Sequence, residues 1–198
     1  MAAFDTPVLR VVVAIALVGS IGCQLKRPDT VPARMIEPQM EAPAKGPVAG
    51  LNPTFVRLLD TQARAHIGRR LLRQQPDGEL VEDAVWRWSS APDRYLDTAL
   101  RLELTSRADV RLIDAADAPA LAVTLVGWHL ESEPTRLVGV IQIQLTDVDR
   151  TIREELIKES EPVSGELPGN LATVAGRLLQ RLAAEGITRM TTAARPGA

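Results

Sequence analysis

The chain has 198 residues and a formal charge of -2 from 23 Lys+Arg and 25 Asp+Glu; it is 45% hydrophobic and 3% aromatic, with one cysteine and two histidines. A lone cysteine excludes an intramolecular disulfide scaffold, and one Cys with two distant His residues excludes a Cys/His zinc cluster. No basic surplus points to nucleic acid, and so few aromatics argue against base-stacking platforms and sugar clefts.

The amino end reads as a targeting segment. Arg10 is followed by the apolar run Val11–Val18. That run is too short for a bilayer span of ~20 residues but suits a secretory h-region. Ser20-Ile21-Gly22-Cys23 then resembles a lipobox, with Ser20 in place of the commoner Leu. On this reading residues 1–22 are a lipoprotein signal peptide, and Cys23 is acylated and becomes the mature end. The competing reading is an ordinary signal peptide, or a short anchor, with an incidental Cys. Residues 23–53 carry Pro28, Pro32, Pro38, Pro43, Pro47 and Pro53. Each proline pushes its predecessor towards extended geometry, so this stretch is expected to be a flexible, semi-rigid tether.

A folded domain is expected over 54–190, with a disordered tail at 191–198. Residues 54–60 fit a short helix or a strand. Residues 65–75 and 79–88 predict two strands joined at Pro76-Asp77-Gly78, a turn signature. Ser90-Ala91-Pro92-Asp93 predicts a helix start, with Ser90 as cap and Pro in the first turn; this helix runs to about Arg107. Short strand 110–113 follows, then 121–131, which is apolar on both faces as in a central strand. Strand 137–145 alternates, with Gln142 and Gln144 on its polar side. After Asp147-Val148-Asp149, strand 151–159 is polar enough for an edge. Asn170 is read as the cap of the last helix, where Leu171, Val174, Ala175, Leu178, Leu179 and Leu182 give the clearest helical period in the chain. Gly186 is expected to end or weaken it. The fold class is therefore α+β: a two-layer, mostly antiparallel sheet of about five or six strands with two amphipathic helices on one face.

Catalytic signatures are missing: no G-x-S-x-G elbow, H-E-x-x-H pair or Walker-type loop occurs. His66 and His129 both fall on expected strands, as structural or surface residues. Asp147 with Asp149, and Asp114 with Asp117, read as solvated turns rather than cation sites. Arg64, Arg69, Arg70 and Arg73 form a basic stretch that suits a solvated face, anionic headgroups or a protein partner. Trp86 and Trp88 flank Arg87 on one strand face, as core or as a contact wall.

Several segments then carry a family likeness: Arg70-Leu71-Leu72-Arg73, the Gly78-Glu79-Leu80 turn, Trp86-Arg87-Trp88-Ser89-Ser90-Ala91-Pro92 opening a helix, Val126-Gly127-Trp128, and Leu145-Thr146-Asp147. Together with the lipobox and the Pro-rich linker, the stretch from about Arg64 to Met190 resembles the ABC-type transport auxiliary lipoproteins of the paraquat-inducible protein C type. Arg87-Trp88-Ser89 to Pro92 is its most specific part. The resemblance implies a non-enzymatic accessory of an intermembrane transport system for lipids or other apolar solutes. Its partners would be an Mce-type periplasmic protein and ABC transporter subunits. It would need no cofactor or metal, bind no nucleic acid, sit on the membrane through a lipid anchor, and form an oligomer. Trp86, Arg87, Trp88, Arg69, Arg70 and Arg73 are the expected contacts, since Trp and Arg are enriched at interface hot spots. Gln24 after the cysteine favours the periplasmic face of the outer membrane over the inner one. An activator of a cell-wall synthase or an outer-membrane assembly factor is the alternative, and a minor hydrolase using His129 is a third.

Overall fold

The computed structural model describes residues 32–42, 53–147, 150–165 and 169–193. Cys23, Asp149 and most of the proline-rich segment lie outside the described residues. The elements in chain order are β1 (Arg34–Ile36), β2 (Thr54–Leu58), β3 (Gln62–Ala63), β4 (Arg70–Gln74), β5 (Leu80–Trp88), α1 (Pro92–Ser106), β6 (Val110–Leu112), β7 (Ala120–Ser132), β8 (Thr135–Asp147), β9 (Arg150–Pro162) and α2 (Gly169–Ala193). No helix among the described residues is long and apolar enough to cross a membrane.

β7 is the spine. One edge pairs with β8 along its length, from Ala120↔Thr146 to Ser132↔Thr135. The other edge receives three parallel strands in succession: β2 at Ala120–Leu121, β3 at Thr124–Leu125 and β4 at Leu130–Glu131. β5 is antiparallel to β4, β1 is parallel to β5, and β6 is parallel to β2. The α+β class and the two helices stand, but among the described residues the sheet has nine strands and is mixed, rather than mostly antiparallel with five or six. The miscount has a physical cause: β1, β3 and β6 span two or three residues each, too few for a period to show. The hairpins were readable because short turns dictate antiparallel pairing. Parallel neighbours are set by long crossovers, which leave no local mark.

The reading of β7 as apolar on both faces is corrected by a bulge between Leu125 and Gly127. Before it, Leu121, Val123 and Leu125 are buried; after it, Trp128 and Leu130 are buried. The extra residue shifts the side-chain phase by one. All five therefore oppose the odd positions of β8: Leu145, Ile143, Ile141, Gly139 and Leu137. An apparently two-sided strand is in fact one-sided. Gly139 opposite Trp128 makes room for the indole, because a Cβ there would lie 2.6 Å from Leu182 Cδ1 and 3.2 Å from the Trp128 ring.

Both helices cover this face and pack on each other. Their apolar stripes, Leu96, Leu100 and Leu104 of α1 and Leu171, Leu178 and Leu182 of α2, are buried to 1% or less. Two local expectations change, and the choice left open at residues 54–60 is decided. The cap of α1 is Ala91, with no side-chain cap bond, and Pro92 opens the helix. Residues 54–58 are a strand because Val56 and Leu58 bury against the core while the chain pairs on both sides. Gly186 does not end α2. It lets the helix approach β8, since a Cβ there would sit 3.1 Å from Ile143 Cδ1.

Part of the stretch expected as a tether pairs with the domain. Arg34–Ile36 is a strand paired in register with Trp86–Trp88. Beyond it, Gln39 N–H donates to the Ala172 carbonyl at 3.0 Å, and Thr173 Oγ1 donates to Gln39 Oε1 at 3.0 Å. The segment lies so close to α2 that a Cβ on Gly176 would sit 1.7 Å from the Gln39 carbonyl oxygen. Gly176→Val is expected to displace residues 37–41 from α2, to cost about 1–3 kcal/mol as overpacking does, and to open this segment to limited proteolysis. Unfolding midpoints and peptide mapping of the cuts measure both effects.

Candidate functional site

The expected contact residues lie along β4 and β5, and Trp86, Arg87 and Trp88 stand at the corner where β1 and β5 meet the start of α1. Trp88 is fully buried, and its ring lies 5.6 Å from that of Trp128 at 55°, a tilted aromatic pair. It is core, not contact surface. Trp86 shares that strand face but sits further out, partly buried against the core, with the Arg34 guanidinium 5.4 Å from its ring centroid. Arg87 points to the opposite face beside Met35, as the β1–β5 register requires.

The arginines do not form one patch. Arg69 clamps the end of β5, donating from its guanidinium to the Trp88 and Ser89 carbonyls at 3.3 and 2.6 Å. Arg70 pairs with Glu82 at 2.6 Å and stays half-exposed. Arg73 pairs with Asp83 at 2.6 Å. Asp83 also accepts from the Val85 and Trp86 N–H groups, which holds the irregular turn of β5 that lets Arg70 face Arg87. Burial pushes the Asp83 carboxyl up, but the bonds from Trp86, Arg73 and Val85 outweigh it and hold it below the ordinary value.

The residues with most bonds at this corner are ones that sequence reasoning did not select. Tyr95 Oη donates to Glu37 at 2.9 Å, accepts from Ser90 N–H at 2.8 Å and lies 2.6 Å from Ser89 Oγ. The Ser89 N–H and hydroxyl both reach the Ile36 carbonyl, at 2.9 and 3.1 Å. Burial is the main cause that raises the Tyr95 hydroxyl above its ordinary value. The Trp88-Ser89-Ser90-Ala91-Pro92 stretch thus ties β1 to the first helix. Its chemistry is structural. Tyr95 gave one sequence signal, as the only tyrosine in the chain, on the apolar side of α1.

His66 lies in an exposed turn, not in a strand, because the strand begins only at Arg70. His129 is on β7, with Nε2 4.0 Å from Glu131 Oε1. Burial is the main cause that lowers its pKa; Glu131 raises it, and Lys158 and His66 lower it. Among the described residues no group of three or more His, Cys, Asp or Glu is placed to hold a metal ion. A polar cleft of about 360 Å³ lies between the β4–β5 and β7–β8 turns, lined by Gln74, Gly78, Glu131 and Ser132.

No family model matches this chain, and no curated protein sequence does. Its fold does have counterparts. A Xanthomonas campestris protein of the DUF330 family superposes with a TM-score of 0.66 at 15% identity, over 80% of this chain and 96% of that one. A structure titled only as an uncharacterized protein gives 0.61 at 14% identity, over 81% and 99%. A hypothetical protein from Chlamydia trachomatis gives 0.54 at 13% identity, over 70% and 95%. The chain shares their fold across nearly the whole of each.

Two outcomes separate core from surface here. Trp88→Ala is expected to cost about 3–5 kcal/mol, whereas Trp86→Ala costs about 1 kcal/mol, both read by urea unfolding. His129 adds a pH dependence. Its lowered native pKa means that the unfolded chain binds a proton first as pH falls below about 6.5. Stability is therefore full above that pH and declines below it until the native imidazole also protonates. Urea midpoints at successive pH values should show this acid-side slope in the wild type and a shallower one in His129→Gln.

Proposed function

We propose that this chain is a lipid-anchored periplasmic lipoprotein and a non-enzymatic accessory of an ABC/Mce-type system that moves lipids or other apolar solutes between membranes. The observation that carries the reading is Ser20-Ile21-Gly22-Cys23, which follows an apolar run and contains the only cysteine of the chain. The transport assignment rests on the family resemblance of the following domain. Fold similarity to the DUF330 protein supports the domain architecture of that reading. So does the role of Trp88-Ser89-Ser90-Ala91-Pro92: the motif with the strongest resemblance builds the junction of β1, β5 and α1.

Acylation supplies the anchor. Each buried CH₂ contributes about 0.8 kcal/mol, so several chains on Cys23 hold the protein stably. Gln24 after the cysteine supports the outer membrane over the inner one for that anchor. Trp86 with Arg34, at the rim of the sheet, remains the partner contact of choice, because it alone of the expected tryptophans reaches the surface.

Cys23→Ser is expected to abolish palmitate labelling and release the chain from the membrane fraction; undiminished labelling overturns the anchor. Co-purification from solubilised membranes should recover an Mce-type protein and an ATPase, and recovery of a penicillin-binding protein instead replaces transport with cell-wall synthesis.

A further inference from the structure

Among the described residues β9 is bonded to β8 alone, and between a bulge at Ile152 and Ser160, whose carbonyl accepts from Arg181 at 2.8 Å, its outer edge carries alternate N–H and C=O groups with no strand beside it. Proteins normally blunt such an edge with a short strand, a bulge or a central proline. β9 carries its one proline at the last position and its bulge, at Ile152, near the first, which leaves Arg153–Glu159 between them unblunted. At its midpoint stands Leu156, 64% exposed, and Ile152 at the bulge is 43% exposed. The β8–β9 register assigns the faces. Glu154, Leu156 and Lys158 oppose Gln144, Gln142 and Val140 on the helix-free face, and Arg153, Ile157 and Glu159 oppose Leu145, Ile141 and Gly139 on the helix face.

We propose that β9 pairs antiparallel with β9 of a second copy of this chain, about a two-fold axis through Leu156. Such an axis, perpendicular to the sheet, sets one residue opposite itself, and every other opposed pair then shares a sheet face. Centred on Leu156, the regular stretch Arg153–Glu159 overlaps its mate. Arg153 faces Glu159 on the helix side, Glu154 faces Lys158 on the open side, and Leu156 meets Leu156. Symmetry makes each ion pair twice. Neighbouring registers fail on charge. An axis at Glu154, Glu155 or Lys158 sets that residue against its own copy, and one at Ile157 sets Glu155 against Glu159. Opposed like charges destabilise a strand pair, while opposite charges and apolar pairs stabilise it. The charge order of β9 thus admits a single register among these, and that register buries its most exposed leucine.

The helix side of the edge already holds a network: Arg153 with Glu155, Arg181 with Glu159 and Glu161, and Arg177 with Glu161. The Arg153–Glu159 contact between copies extends it. On the open side Glu154 accepts from the neutral Gln142 amide and Lys158 lies 4.0 Å from Glu131, so Glu154–Lys158 is the pair that tests the register. The proposal does not rest on the transport reading.

The test is sedimentation of the full chain in detergent. The wild type is expected to be dimeric. Glu154→Lys weakens association about tenfold or more, and Glu154→Lys with Lys158→Glu restores it. In a Cys23→Ser background, Leu156→Cys should form a disulfide-linked dimer under mild oxidation, whereas Ile152→Cys, which faces Ser160, should not. A monomeric wild type, an oligomer indifferent to the charge exchange, or equal cross-linking at 152 and 156 overturns the proposal.

Discussion

The structure depends on the register of β7. This 13-residue strand is paired along one edge with β8 and at three successive places on the other with β2, β3 and β4, so four strands take their position from it directly. The bulge between Leu125 and Gly127 is the point on which the core turns. Without the extra residue, Trp128 and Leu130 would face away from the helices. With it, five apolar side chains of β7 line up opposite the odd positions of β8, and α2 settles on them through Leu182 and Gly186.

From β7 the order propagates to the rim by polar contacts. β4 carries β5 beside it, β5 is bent at Asp83, and β1 docks on the far side of β5. β1 is too short to hold itself in place by strand pairing. Its neighbours Glu37 and Gln39 bond to Tyr95 of α1 and to Ala172 of α2, so both helices fasten it. A buried tyrosine with every polar contact satisfied specifies one geometry, because any displacement strands a desolvated hydroxyl or carboxylate. The fold thereby draws Arg34–Gln39, part of the proline-rich stretch, into the domain.

The two ends of the sheet differ in kind. At the β1 end, arginines are committed to carbonyls and carboxylates of their own chain: Arg69 to β5, Arg70 to Glu82, Arg73 to Asp83. What looks in sequence like one basic patch is three separate structural contacts. At the β9 end the strand is long and, among the described residues, paired on one side only, while α2 reaches it through Arg177, Arg181 and Arg189 across the helix face. One end of the sheet is tied off and the other is left open.

The sequence by itself determined the α+β class, the β4–β5 and β7–β8 hairpins, both amphipathic helices and the polar character of β9. Each of these is written in contiguous residues, as a period or a turn signature, and needs no partner to be read. It also carried the candidate acylation site at Cys23, which is a local motif. The tertiary structure decided the parallel pairing of β2, β3 and β4 on β7, the recruitment of β1, the phase shift at the bulge, and the division of the tryptophans into a core residue, Trp88, and a rim residue, Trp86. These depend on which residues meet across long separations. Alternation along a strand cannot reveal a one-residue insertion in its pairing, and side-chain type alone cannot show whether an arginine is free or already bonded.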